Sequence, residues 1–369
     1  MTVTEELTRL VAFPSISSSP LDDLVDYVAD RCDRLGFRVQ RHRDPHQPGK
    51  SSLVCTAGPT NTDGLVLTGH LDVVPVQGQP WTSDPFELTR KGTRLVGRGS
   101  ADMKGFVAAS LGALARIPPP SLRRELVLVW THDEEVGTLG SAQIVSAFTD
   151  RPWPTACLVG EPTDFRILRM HPGHAVVTVV ARGVAAHSSR PELGDNAIEH
   201  AADALAALRA LGRALQLERH DLPGMERPFV VLNIGCIQGG VAVNIVPDRC
   251  EITVGVRHLP GMAPELLADR IRQAVGPDFD VSLGRTTPAL LTEEGTPLQG
   301  HLAAHARDST LGAATFATDG GNLAALGTRP LIFGPGSIDV AHQADEWIDE
   351  ADLVHAVDVI EDVVRKRCA

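Results

Sequence analysis

The sequence predicts an α/β protein, with a mostly parallel sheet covered by helices and an inserted ferredoxin-like (βαββαβ) domain. Three observations predict this. Strand-length apolar runs alternate with amphipathic helical runs through residues 1–172, the pattern of a covered parallel sheet. From 173 to 284 the order becomes strand, helix, strand, strand, helix, strand. Over 285–369 the first pattern returns, so the catalytic domain is expected in two segments around the insertion; 369 residues are also more than a single core usually holds.

Leu21, Leu24, Val25, Val28, Cys32 and Leu35 recur at helical spacing, and Gly36 supplies a left-handed stop. FRVQRHR, SSLVCTA and GLVLTG read as short strands separated by turn residues, Asp63-Gly64 among them. A helix from about Lys104 to Ile117, the strand ELVLVW, a helix after Gly140 and the strand TACLVG follow. In the insertion, HAVVTVVARG, FVVLNIGCIQG, RCEITVGVRH and FDVSLGR are the strands, with helices at Asn196–Leu217 and PELLADRIRQAV. The strand RPLIFG and a terminal helix capped by Asp349 close the chain.

Hydrophobic residues make up 43%, as in ordinary globular proteins, and 34 basic against 46 acidic residues give a formal charge of -12. That balance argues against nucleic acid or an anionic membrane as partner and favours a small ligand. The N-terminus carries early acidic residues and no apolar signal-peptide core, which predicts a cytoplasmic protein. Six scattered cysteines without CxxC spacing are expected to be reduced thiols.

Chemistry-bearing residues fall where ligands gather in open α/β sheets, at the carboxyl ends of strands. His70 and Asp72 in GHLDVVP lie two apart on an extended segment, so Asp72 can hold the ring of a metal-bound His70. Asp102 in GRGSADMKG sits in a glycine-flanked turn before a helix, where its two oxygens can reach two cations roughly 3.5 to 4 Å apart. Glu134 and Glu135 follow the apolar run LVLVW, and their repulsion is resolved if one binds metal while the other accepts a proton from the attacking water. Glu161 leaves a buried strand at GEPT, and His342 lies in the loop GPGSIDVAHQADE. Asp102, Glu135, Glu161 and a hydroxide would balance two divalent charges.

These five motifs, in this order, resemble those of the M20 family of dizinc amidohydrolases and peptidases, across nearly the whole chain. GEPT and GPGSIDVAHQADE look most like its acetylornithine deacetylase branch. The resemblance implies two Zn2+, with Co2+ as a substitute: one held by His70, Asp102 and Glu161, the other by Asp102, Glu135 and His342. It implies Glu134 as general base and a cis peptide at Asp102-Met103. It further implies that the insertion is a lid through which the chain forms a homodimer. His187 in AAHSSRP would stabilise the oxyanion in the partner's site, and Asn244 and Arg257 would hold substrate. His132 and the ATDGGNLAALG segment around Asp319 depart from the branch's usual residues, and the latter helps select substrate in the family. The expected reaction is removal of an acyl group, acetyl first, from a small N-acylated amino acid. A desuccinylase, a dipeptidase or carboxypeptidase, and a deacylase of a specialised metabolite are the alternatives within that chemistry. A non-catalytic metal or metabolite sensor is the alternative outside it, and the complete set of ligands and base speaks against decay.

Overall fold

A computed structural model describes residues Met1–Ala369. Its contacts divide the chain into two compact units, one of Met1–Met170, Leu290–Ala313 and Thr318–Ala369, the other of His171–Ala289 with Ala314–Ala317. These breaks differ slightly from those expected at 172 and 284. The strand Arg166–His171 pairs with Asp308–Ala313 in the first unit's sheet, and the strand Phe279–Thr287 runs past 284 in the second.

The first unit is built on a nine-stranded mixed sheet. At its centre Leu126–Thr131, Leu65–His70, Ala156–Val159 and Arg329–Ile332 lie side by side and parallel. Ser51–Ala57 flanks this block antiparallel to Leu126–Thr131, and Arg38–Arg43 continues outward. Asp63-Gly64 therefore closes no hairpin: the strands on either side of it are separated by Leu126–Thr131. Leu65–His70 and Leu126–Thr131 are buried at every residue, which is why they read as continuous apolar runs. The helices Lys104–Leu114 and Glu350–Cys368 pack on each other and share one core with the sheet; Asp349 caps the latter through Ala351 N at 2.9 Å.

At Gly69, one residue before His70, an added Cβ would lie 2.5 Å from Met103 Cε, so the buried Met103 side chain would have to shift. The side chain that follows Asp102 is thus tucked beneath the strand that carries His70.

The second unit has an antiparallel four-stranded sheet in the order Val231–Gly239, Arg249–Arg257, His174–Arg182, Phe279–Thr287, with the helices Ala197–Leu217 and Pro264–Val275. This is the ferredoxin-like connection expected for the insertion. A two-stranded ribbon pairs Ala186–His187 with Ile245–Val246. All six cysteines are free thiols, and no helix is long and apolar enough to cross a membrane.

Candidate metal centre

His70 ends a central strand, and the peptide Asp102-Met103, which is cis, opens the helix Lys104–Leu114. His70 Nε2 lies 3.0 Å from Asp102 Oδ1, and His342 Nε2 lies 3.2 Å from Asp102 Oδ2. One carboxylate thus presents an oxygen to each of two imidazoles, so Asp102 is no N-cap; the cap position is Met103, with no side-chain bond. His342 Nε2 also lies 3.0 Å from Glu135 Oε2. Ligand atoms of His70, Asp102 and Glu135 all fall within 4.8 Å of one another. Glu161 is buried just beyond the strand Ala156–Val159.

The expectation that the Asp72 carboxylate holds the His70 ring is corrected. The strand ends at His70, the chain turns, and the backbone carbonyl of Asp72 takes the His70 Nδ1 proton at 2.9 Å while its carboxylate stands 3.7 Å away. That bond still leaves Nε2 free to ligate. The carboxylate instead accepts from Ser17 Oγ (2.7 Å), from Glu134 N (3.1 Å) and from Glu135 N (3.4 Å). Asp72 therefore organises the turn that carries both glutamates.

The donor set fits a divalent cation. Burial, with the neighbouring carboxylates, pushes the Glu134 and Glu161 carboxyls well above their usual range, and it pushes Glu135 up to about 7. Hydrogen bonds donated by its ring to the Asp102 and Glu135 carboxylates pull His342 up to about 10. Burial opposes protonation of His70, yet its bond to Asp102 and nearby charges raise it well above normal. Carboxylates here greatly outnumber cations, and a metal ion relieves that imbalance. The same shifts set a sign: protons and a cation compete for these groups, most directly at Glu135 and His342. Metal binding is expected to release protons near pH 7 and to weaken as pH falls. Calorimetric titration in buffers of different protonation enthalpy measures this; affinity independent of pH between about 6 and 8 would contradict it.

Sequence reasoning missed Glu346. This carboxylate, 1% exposed, accepts from Gly99 N (3.0 Å), Ala101 N (2.9 Å), Asp102 N (3.0 Å) and Arg98 Nη1 (2.7 Å), so it shapes the Asp102 turn. Arg98 Nη2 donates to Gln79 Oε1 (2.6 Å), and Gln79 Nε2 donates to the His342 carbonyl (2.8 Å), which ties down a histidine held at φ 62°. Nothing in the spacing flags these residues, because their partners are far away in sequence.

Asp319 is also buried, accepting from Thr131 Oγ1 at 2.5 Å, and its charge contributes to raising Glu134 and Glu161. Asn322 Nδ2 donates to Thr138 O (3.1 Å) and Ser141 Oγ (2.9 Å) and so braces the chain beyond the glutamate turn.

All of these groups belong to the first unit, whereas His187, Asn244 and Arg257 belong to the second. His187 is exposed on the ribbon, its Nδ1 2.8 Å from Ser189 Oγ, and Ser188 N donates to the Asn244 carbonyl at 3.0 Å. Arg257 ends the strand Arg249–Arg257 opposite Val231.

Residues 66–366 match the model of peptidase family M20/M25/M40. The acetylornithine deacetylase of Proteus mirabilis (strain HI4320) is 33% identical, with 100% of this chain and 97% of that protein covered. That of Myxococcus xanthus is 35% identical over 98% of this chain and 96% of its own length. Among solved structures, an M20 family metallo-carboxypeptidase from Sulfolobus solfataricus shares the fold with a TM-score of 0.81 at 17% identity, covering 99% of both chains. The chain thus belongs to peptidase family M20/M25/M40, and it is a hydrolase of amide bonds.

Proposed function

We infer that the protein removes an acyl group, acetyl in first place, from the nitrogen of a small amino acid, as its relatives named acetylornithine deacetylase do by name. The observation that carries the reaction is the Asp102 carboxylate shared between His70 and His342, beside a second glutamate whose backbone Asp72 binds. In this reading His70, Asp102 and Glu161 hold one ion, and Asp102, Glu135 and His342 hold the other. Zinc is the proposed metal, with cobalt as a substitute. Two bound divalent ions would polarise the acyl carbonyl and lower the pKa of the attacking water. Glu134, whose backbone Asp72 holds beside Glu135, takes the proton of that water and returns it to the leaving amine. Arg257 and Asn244 hold the substrate, the guanidinium suiting its carboxylate.

A panel of N-acetyl and N-succinyl amino acids and dipeptides, assayed with zinc or cobalt supplied, tests the assignment. Acetyl substrates are expected to show the highest kcat/KM. A preference of about tenfold or more for succinyl or peptide substrates, roughly 1.4 kcal/mol in transition-state binding, would replace it.

The second unit offers a surface for a second copy. Val231–Gly239 is an edge strand, with Ile237 50% exposed, and Val241 and Val243 in the following loop are 88% and 103% exposed. If pairing there lets His187 serve the partner's site, His187→Ala and Glu134→Ala, each inactive, should complement when subunits exchange. About one working site per mixed dimer is expected, with a donor aimed at the oxyanion restored. Continued inactivity after verified exchange would place His187 in its own chain's site or outside catalysis.

A further inference from the structure

The turn that carries Glu134 and Glu135 is held from a side that none of the assigned roles uses. Ser51–Ala57 pairs antiparallel with Leu126–Thr131, Leu53 opposite Trp130, and continuing that register places Lys50 opposite Asp133. The Lys50 side chain is 5% exposed, and its Nζ lies 2.7 Å from Asp133 Oδ1 and donates to the Ser17 carbonyl at 2.7 Å. Ser17 Oγ donates to Asp72 Oδ2 at 2.7 Å. The Asp72 oxygens in turn accept from Glu134 N and Glu135 N at 3.1 and 3.4 Å. The path closes on itself: Lys50, Asp133, the two glutamate amides, Asp72, Ser17, Lys50.

Two features make this more than a stray buried ion pair. Asp133 stands at φ 52°, a left-handed conformation that costs a non-glycine residue energy and persists only where surroundings impose it. Its second oxygen accepts from Gln47 Nε2 at 3.3 Å, and His132 Nδ1 lies 3.3 Å from it. The conformation at Asp133 sets the direction in which the next two side chains leave the turn. Adjacent carboxylates with different tasks need one fixed orientation of that turn.

We propose that Lys50 and Ser17 are positioning residues of the hydrolytic site, closing with Asp133 and Asp72 a hydrogen-bonded ring that locks the Glu134–Glu135 turn, with Glu135 toward the metal and Glu134 left for proton transfer. The proposal rests on the roles given to the two glutamates under the proposed function. Lys50 and Ser17 touch neither substrate nor metal in it; they act through the backbone of the turn.

The test uses full-length protein and four variants: Ser17→Ala, Ser17→Thr, the charge-neutral pair Lys50→Met with Asp133→Asn, which leaves no unpaired buried charge, and that pair combined with Ser17→Ala. Loss of an outer partner of a metal ligand typically costs about 10- to 100-fold in activity or metal affinity. For metal-saturated Ser17→Ala, kcat is expected to fall about tenfold with KM unchanged within about twofold, and Ser17→Thr, which keeps the hydroxyl, to recover most of it. The paired variant should lose about 100-fold in kcat, bind Co2+ more weakly in direct titration, and show shifted visible bands when loaded with Co2+. Adding Ser17→Ala to the paired variant should cost little more, because the ring is already open.

A merely structural role would lower the melting temperature and leave the cobalt spectrum and the kcat of folded, loaded protein at wild-type values; that result overturns the proposal, as does full additivity. Should the paired variant fail to fold, the comparison of Ser17→Ala with Ser17→Thr decides alone. Should the wild-type protein hydrolyse no N-acyl amino acid, the functional reading fails, while the cobalt spectra and affinities still decide whether the ring holds the turn.

Discussion

Glu134→Ala is expected to keep its metal and lose turnover by about 100- to 10,000-fold, the usual contribution of a positioned proton-transfer group. Glu135→Ala is expected to lose metal instead. The two residues are neighbours on one turn, and both amides are held by Asp72. Their surroundings separate them: Glu135 Oε2 lies 3.0 Å from the His342 ring that also meets Asp102, whereas the Glu134 carboxyl is raised chiefly by burial, with further contributions from Glu161, Asp319 and Glu135. Metal analysis of dialysed protein, together with kcat on the best substrate of the panel, checks the division. Equal metal depletion in both variants would show that Glu134 is a ligand as well.

Glu346→Ala should be strongly destabilising. It removes the acceptor of three backbone N–H groups and strands Arg98, 1% exposed, without its carboxylate. Breaking one half of a buried ion pair costs about 3–5 kcal/mol, and in a protein of this size that lowers the melting temperature by on the order of 10 °C. Metal affinity should fall as well, because the released amides include that of Asp102 itself. The pair Arg98→Met with Glu346→Leu separates the two effects. It removes both charges and should recover much of the stability, but it leaves the Asp102 turn unheld, so metal binding should stay weak. Calorimetric melting with metal titration measures both. A melting temperature within about 2 °C of wild type for Glu346→Ala would contradict the role assigned to this carboxylate.

The part of the site that could be read from the sequence is the part whose logic is local. His70 and Glu161 end or follow apolar strands, Asp102 precedes a helix in a glycine-flanked turn, and the two glutamates interrupt the end of an apolar run. Each is a polar residue where a strand or helix boundary makes polarity costly, so chemistry is the natural reason for its presence. The insertion was legible for a similar reason: strand and helix periodicities differ, and the order βαββαβ survives in the chain without knowledge of any contact.

What only the tertiary structure decided is partner choice. The sequence permitted Asp72 to reach the ring of His70, because two residues apart on a strand face the same way. The strand instead stops at His70, and the Asp72 carboxylate goes to the glutamate turn. Likewise, Ser51–Ala57 and Leu65–His70 follow one another in sequence, but Leu126–Thr131 lies between them in the sheet, and its pairing with Ser51–Ala57 sets Lys50 opposite Asp133. Glu346 reaches across to amides more than two hundred residues earlier in the chain. Periodicity and turn chemistry are properties of neighbouring residues, so the sequence by itself determined the principal strands and helices, their order and the residue types at their ends, though not the strands Arg166–His171 and Asp308–Ala313. Hydrogen bonds between distant segments depend on how those elements pack, and in this protein those bonds decide that the Asp72 carboxylate holds the glutamate turn.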